Sequence, residues 1–481
     1  MIIPAIDLQN GEAVRLYKGD YARKTVYSAN PVELAETFAK MGARYLHVVD
    51  LDGARGGSAA NSETIRKIRE RVNVPIQVGG GVRNAETVSL YLDEIKVNRV
   101  ILGTAAVQTP AFVREMIEKY GADKIAAAVD VRDGRARIGG WLDDSGADYL
   151  ELIERLKGLG VRLAVVTDIS RDGALTSPNW EMYEKIRGIN VIVSGGVSSE
   201  ADIQKGLNYS GVIVGRAYYE KKVDLAGLLK RRVIPCLDIL DGRVVKGVNF
   251  VGLKDIGDPA EIARRYEEQG ADEIVLLDIA ATYEKRKTTL PLIERVSRRL
   301  SIPVTVGGGV RGLDDMRGIL ASGADKVSVN SAFVADPELI QSARDAFGKR
   351  RVVAAIDGKR TGGRFHVFVR GGRDDTGLDL IEWAKTCEAR GAGEILLTSM
   401  DRDGVQSGYD LPMTKAVTDS VNVPVVASGG CGKVGDIVEV FQKTGCDAAL
   451  AASLFHSGTA SVGDAKAEME RSGLPCGKLK D

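Results

Sequence analysis

Four aspartates end short apolar runs in this sequence. Asp7 closes IIPAID, Asp130 closes IAAAVD, Asp238 closes VIPCLD and Asp357 closes VVAAID. A carboxylate at the end of a buried strand emerges at a sheet edge, where it can give or take a proton. Taken singly, such an aspartate caps a turn as readily as it catalyses. Here they come as two pairs, and each pair suits an acid and a base acting on one substrate. Glycine-rich loops are the second recurring feature. VGGGVR occurs at 78–83 and again at 306–311, and SGG at 194–196 and 428–430. Backbone N–H groups of such loops, with the start of the next helix, make a seat for phosphate.

These residues need a scaffold that repeats. The runs YLHVVDLD, PIQVGGGV, RVILGTAA, KIAAAVDV, LAVVTDIS and VIVSGGVS alternate with amphipathic segments in the first half of the chain. Near-continuous apolar strands alternating with helices predict a parallel sheet covered by helices, and eight such units close into a (β/α)₈ barrel. Asp7 and Asp238, the two VGGGVR loops, the two SGG loops and the pair TDISRDG/TSMDRDG all recur at spacings of 228–234 residues. One barrel-sized unit is therefore duplicated. Within each unit the aspartates and glycine loops recur again after 116–123 residues, which predicts that each barrel is built from two half-barrels. The fold class is α/β, two tandem barrels, with domains 1–229 and 230–481. The final helix of one runs straight into the first strand of the next, with no visible linker.

In such a barrel the C-terminal ends of the strands carry the active site. Strands one and five lie on opposite sides, so Asp7 faces Asp130 and Asp238 faces Asp357. The loops after strands three and four form one phosphate seat, and those after seven and eight the other. In the first unit this nominates Gly80, Gly81, Gly103 and Thr104, opposed by Gly195, Gly196, Gly215 and Arg216. In the second it nominates Gly308, Gly309, Asn330 and Ser331, opposed by Gly429, Gly430, Ala452 and Ser453. Each barrel is expected to hold a long substrate with a phosphate at both ends. Trp141, after strand five, either lies over a flat heterocycle or packs its own loop.

Other functions find little support. Sixty-six basic and sixty-six acidic residues give zero net charge, without the basic surplus a nucleic-acid binder needs. Five scattered cysteines suggest reduced thiols, and no stretch has the length and apolarity of a membrane span, so a cytoplasmic protein is expected. No dinucleotide fingerprint, Walker motif or metal-ligand cluster is present, and no cofactor or metal is expected. His47, His366 and His456 are read as packing or surface residues.

The motifs together carry a resemblance. MIIPAIDLQNGEAVRL, HVVDLDGA, VPIQVGGGVR, TDISRDGAL and GVIVGRA in residues 1–229 resemble the ProFAR isomerase of histidine biosynthesis. RRVIPCLDILDGRVVKGVNF, DEIVLLDIAATYEKRKT, GADKVSVNSA, VAAIDGKR and TSMDRDGVQSGYD in residues 230–470 resemble the cyclase subunit of imidazole glycerol phosphate synthase. The first resemblance implies an Amadori rearrangement with Asp7 as base and Asp172 as acid. Asp130 and Thr167 assist, and Trp141 stacks on the substrate. The second implies that the ketulose product reacts with ammonia, Asp238 and Asp357 being the acid–base pair with Lys246, Asp403 and Gly404 nearby. It also implies a glutaminase subunit that supplies ammonia through a charged gate formed by Arg232, Glu273, Lys326 and Glu394. Two departures stand out: Arg370-Gly371-Gly372 fills a loop where some relatives carry a hydroxyl, and KGLNYSGVIVG is a shortened connection before strand eight. Two alternatives remain open at this level. The first barrel also isomerises phosphoribosyl anthranilate, or one barrel is a silent scaffold.

Overall fold

The computed structural model describes residues 1–248, 251–279 and 290–477. The chain divides into two compact units, Met1–Leu229 and Lys230–Asp481. Eight parallel strands of the first unit are β1 (Ile2–Gln9), β2 (Leu46–Asp50), β3 (Ile76–Gly79), β4 (Arg99–Leu102), β5 (Ile125–Arg132), β6 (Leu163–Asp168), β7 (Asn190–Ser194) and β8 (Gly211–Val214). Each pairs with its successor, and β8 returns to β1 through Ile2↔Val212, so the sheet closes. The second unit repeats this with β9 (Arg232–Leu240), β10 (Ile274–Asp278), β11 (Val304–Gly307), β12 (Lys326–Val329), β13 (Val352–Thr361), β14 (Glu394–Ser399), β15 (Val425–Ser428) and β16 (Ala448–Ala451). There β16 closes on β9 through Arg232↔Ala448. Both units are (β/α)₈ barrels, as the repeat predicts.

Strand side chains alternate in direction, which splits each barrel into two apolar layers. In β1, Ile3 and Ala5 face inward and join Ile101, Ala126, Val165, Ile192 and Ile213 in a cluster that fills the barrel. Ile2, Ile6 and Leu8 face outward and pack under the helices. The second barrel does the same, with Ile234 and Cys236 inside and Val233, Leu237 and Ile239 outside. Helix starts are equally regular. In helix Pro31–Lys40 the Asn30 side chain accepts from Glu33 N at 3.3 Å, while Pro31 takes the first turn, where no N–H is needed. Asp258 caps helix Pro259–Glu268 in the same way.

Two β-hairpins per barrel, unforeseen in the sequence reading, project from corresponding places. After β1 come strands Glu12–Tyr17 and Asp20–Ser28, and after β5 come Arg135–Ile138 and Asp143–Asp148. Arg243–Val248 with Val251–Gly257 follows β9, and Arg364–Val369 with Asp374–Asp379 follows β13. The turns entering them are Asn10-Gly11, Asp133-Gly134, Asp241-Gly242 and Gly362-Gly363, with positive φ at both residues of every pair. That is the type I′ hairpin turn, and its Asn-Gly/Asp-Gly signature was readable in the sequence. Hairpins after strands one and five of both barrels match the half-barrel repeat. Among the described residues, no helix is long and apolar enough to cross a membrane.

Glycine is sterically required where each glycine loop leaves its strand. Gly80 has φ +93°, and a Cβ there would lie 2.1 Å from the Asp50 carbonyl oxygen. Gly134, at φ +75°, has open space around that point. Gly134→Ala should therefore cost only the left-handed backbone penalty, about 1–2 kcal/mol. Gly80→Ala should cost clearly more, because backbone must move. Denaturant unfolding of the two variants checks the order, and equal losses would refute it.

Candidate active sites

The upper mouth of the first barrel is a cavity lined by every residue nominated there: Asp7, Asp130, Thr167, Asp172, Trp141 and the eight phosphate-seat residues. β1 and β5 deliver Asp7 and Asp130 from opposite walls. Asp172 arrives by a different route. Asp168 ends β6 and is consumed as a cap, accepting from Ser170 N and from Asn179 Nδ2, both at 2.9 Å. The chain then makes one turn, with Asp172 N donating to Asp168 O at 3.0 Å, and this swings Asp172 into the cavity. The first hairpin holds it there, since Lys18 N donates to Asp172 O at 3.0 Å. Asp50, at the end of β2, is likewise a cap, taking three hydrogen bonds from Gly53 and Asn61.

Arg15, given no role in the sequence reading, is the central cation of this site. It lies on the inner strand of the first hairpin, and its guanidinium donates to Asp7 Oδ2 at 2.6 Å and to Ala5 O at 3.3 Å. Gly215 makes room for it, because a Cβ there would lie 2.1 Å from Arg15 Nη2. Burial pushes the Asp7 pKa up, and Arg15 opposes that by its charge and its hydrogen bond. Burial also raises Asp130, opposed by hydrogen bonds from Trp141 and Thr167. Asp172 goes furthest, to about 7, through burial, with the neighbouring Asp7 and Asp130 charges adding to it and Arg15 working against it. Three carboxylates with one buried arginine thus separate into an ion-paired member and one that holds its proton near neutrality.

Other nominated residues are already engaged within the protein. Thr104 Oγ1 accepts from Gly139 N at 3.1 Å, tying the β5 hairpin to the loop after β4. Arg216 donates to the Gly173 carbonyl. Trp141 fits both readings left open: it lines the cavity, and its ring fills the space beside Gly19, where a Cβ would come within 2.2 Å.

The second cavity is lined by Asp238, Asp357, Asp403 and Gly404, with Gly308, Gly309, Asn330, Ser331, Gly429, Gly430, Ala452 and Ser453. Lys246, on the first hairpin of this barrel, is not among its lining residues. Burial lifts Asp238 and Asp357 each to about 7, and the nearby Asp403 charge adds to both. In contrast with the first barrel, no arginine pairs with the strand-one aspartate among the described contacts. Asp238 instead accepts a long contact from Cys236 Sγ at 3.6 Å. Asn330 donates from Nδ2 to Asp357 Oδ2 at 3.0 Å, so it orients a carboxylate.

At the opposite end of the second barrel, Arg232, Glu273, Lys326 and Glu394 form a ring. All four lie at the N-terminal ends of strands. Arg232 donates to Glu273 Oε2 at 2.6 Å and to Glu394, and Lys326 Nζ lies 2.8 Å from Glu273 Oε1 and also pairs with Glu394. Thr305 Oγ1 donates to Glu273 at 2.6 Å. Burial disfavours the Glu394 charge, but Arg232 and Lys326 outweigh it and hold its pKa below the ordinary value. Two cations and two anions compensate one another around the barrel axis.

Fold and site together define a pair of (β/α)₈ barrels, each with acids lining a cavity at the C-terminal end of its strands. The chain belongs to the histidine biosynthesis protein family, whose model matches residues 1–224 and again 232–461. Imidazole glycerol phosphate synthase subunit HisF from Lactococcus lactis subsp. cremoris (strain SK11) is 60% identical over 255 residues, covering 53% of this chain and 98% of that protein. The subunits from subsp. cremoris strain MG1363 and subsp. lactis strain IL1403 are 58% and 59% identical over the same length.

A carboxylate whose folded pKa is raised favours the fold below its unfolded pKa and loses that contribution as pH rises through the folded value. Asp238, lifted from 3.8 to about 7, should therefore weaken the second barrel above neutrality. Asp238→Asn is expected to raise the thermal stability of that unit at pH 8. The gain should shrink as pH falls through 7 and vanish below about pH 4. Melting curves at pH 4, 6 and 8 test this, and a gain independent of pH would contradict it.

Proposed function

We propose that the chain carries out two consecutive steps of histidine biosynthesis. The first barrel isomerises ProFAR, an aminoaldose, to the aminoketulose PRFAR. The second joins ammonia to PRFAR and cleaves and closes it to imidazole glycerol phosphate and an aminoimidazole carboxamide ribotide. The observation that carries this reading is the group of carboxylates lining each cavity, Asp7, Asp130 and Asp172 in the first and Asp238, Asp357 and Asp403 in the second. It stands beside the double family match and the likeness to HisF subunits.

An Amadori rearrangement needs a proton delivered to the ring oxygen as the C1–O bond breaks, and a proton taken from C2 as the enolamine forms. Asp172, proton-bearing near neutrality, suits the first task. Asp7, paired with Arg15, suits the second. Asp130 lies close enough to influence Asp172, and Thr167 with Trp141 donates toward it, so it orders the polar side of the site. In the second barrel, Asp238 and Asp357 both titrate near neutrality, so one can hold a proton while the other accepts one. Glycine loops on both sides of each mouth suit a substrate with two phosphates.

Ammonia is the remaining reactant. A glutaminase subunit docked at the lower face of the second barrel would supply it, with the ring of Arg232, Glu273, Lys326 and Glu394 as the gate. The ring supports this by its place, at the barrel axis and at the end of the sheet away from the acids.

Asp7→Asn is expected to abolish isomerisation and leave conversion of added PRFAR with ammonium intact. Asp238→Asn should do the reverse. Loss of both activities in either variant, or of neither, would count against independent sites and would favour one barrel as a scaffold. Arg15→Met should move the acidic limb of the isomerase pH profile to higher pH, because the Asp7 carboxylate loses the cation that opposes its desolvation. An unmoved limb would remove Arg15 from the mechanism.

A further inference from the structure

The two barrels share one loop backbone and differ in the side chain that begins it. After the first hairpin strand following β5, Gly139, Gly140 and Trp141 have φ +64°, +68° and +72°. After the first hairpin strand following β13, Arg370, Gly371 and Gly372 have φ +56°, +68° and +77°. Each run is fastened at its first residue. Gly139 N donates to Thr104 Oγ1 and Arg370 N donates to Ser331 Oγ, both at 3.1 Å. Thr104 and Ser331 open the helices that follow β4 and β12. Arg370 therefore stands where the first barrel has glycine.

The first barrel shows that glycine satisfies this backbone. Left-handed φ is open to glycine and strained for a residue with a Cβ. The ion pair of the side chain does not offset that strain. Arg370 Nη1 lies 2.9 Å from Asp374 Oδ2, but the two side chains are 60% and 47% exposed. A solvated pair of this kind contributes little stability, and for the same reason either partner leaves it at little cost.

Position gives the arginine a use. It lines the second cavity, and its backbone is tied to Ser331 of the seat after β11 and β12. Arg311, after β11, and Arg373, in the same loop as Arg370, line that side as well. The loops after β14, β15 and β16, across the mouth, contribute no arginine or lysine to the lining among the described residues. In the first barrel the cations are shared between the sides, with Arg83 after β3 and Arg216 after β8. A guanidinium presents a planar fork of donors that matches phosphate oxygens in pairs.

We propose that Arg370 is a phosphate-binding residue of the second barrel and makes its two seats unequal. Its guanidinium exchanges Asp374 for the phosphate monoester held by the loops after β11 and β12. The phosphate at the other end of the substrate meets glycine-loop backbone and the Ser453 hydroxyl. The inference rests on the cyclase reading above and adds a charged contact at a position that the first barrel leaves as glycine.

The test uses the full chain and PRFAR with saturating ammonium. Arg370→Gly installs the residue that the same backbone carries in the first barrel, so the melting temperature of the second barrel should stay unchanged or rise. The same variant should raise KM for PRFAR about tenfold, the worth of one charge-assisted hydrogen bond, with kcat little changed. Arg370→Lys keeps the charge without the fork and should recover part of that loss. Inorganic phosphate should compete with PRFAR in wild type and inhibit Arg370→Gly more weakly. Asp374→Ala breaks the ion pair and keeps the arginine, so its KM should stay at or below the wild-type value. Isomerisation of ProFAR in each variant reports that the first barrel is intact. An unchanged KM in Arg370→Gly overturns the inference. So does a lowered melting temperature in that variant, or the same rise of KM in Asp374→Ala, since either makes Arg370 a brace of the hairpin. A wild type unable to convert PRFAR with ammonium overturns the cyclase reading, and this contact with it.

Discussion

Closure of an eight-stranded parallel sheet leaves an interior just wide enough to be filled by side chains. Every inward-facing position is thus either core or end. Mid-barrel positions are mostly small or apolar, as Ile3, Ala5, Ile101 and Ala126 are in the first unit and Ile234, Val275 and Val353 in the second, while buried His47 and Gln77 bond to each other. Charged groups are tolerated only at the two rims, where partners or solvent can be reached. The distribution of acids follows from this constraint. Asp7, Asp130, Asp238 and Asp357 all line a cavity from the C-terminal part of their strands, which run on into a hairpin.

Their chemistry follows from the same constraint. A carboxylate at the rim is still largely desolvated, and desolvation heads the causes of every raised aspartate pKa in the two cavities. Neighbours then decide which acid keeps its proton. In the first barrel one arginine singles out Asp7. In the second, with Asp403 adding negative charge, Asp238 and Asp357 are lifted together. Two barrels of one family and one fold therefore present different proton inventories through a few substitutions at equivalent sites. The lower rims differ as well. A four-membered ion ring closes the second barrel, whereas in the first Arg99 packs under Tyr45 and directs its polarity upward through Gln77.

The half-barrel repeat is legible at several levels. Strand-end aspartates recur after strands one and five, and type I′ hairpins follow at the same two places. At Gly80, Gly195, Gly308 and Gly429 the backbone takes a positive φ, and a Cβ would strike the backbone of the preceding strand's end. These glycines have a structural reason to be glycine. Their lining of the cavity mouths is an additional property of the same turns.

Periodicity and repetition were enough to give the barrels and their number. Those features depend on local alternation and on motifs repeated at fixed spacing. The same logic placed the opposed aspartates and the glycine loops, because residues at the ends of known strands have known positions. Asn-Gly and Asp-Gly turns also carried the hairpins, although that signal was passed over. What the sequence could not decide was which polar residues meet. Arg15 reaches Asp7 only because a hairpin folds it back over the mouth, and Gly215, two hundred residues away in the chain, leaves room for it. Asp168 and Asp172 are four residues apart and of one type, yet one caps a turn and the other enters the cavity. His47 reads as an ordinary core histidine until β3 and β4 bring Gln77 and Arg99 alongside. Partner identity and desolvation are properties of surroundings, and surroundings exist only once the sheet has closed.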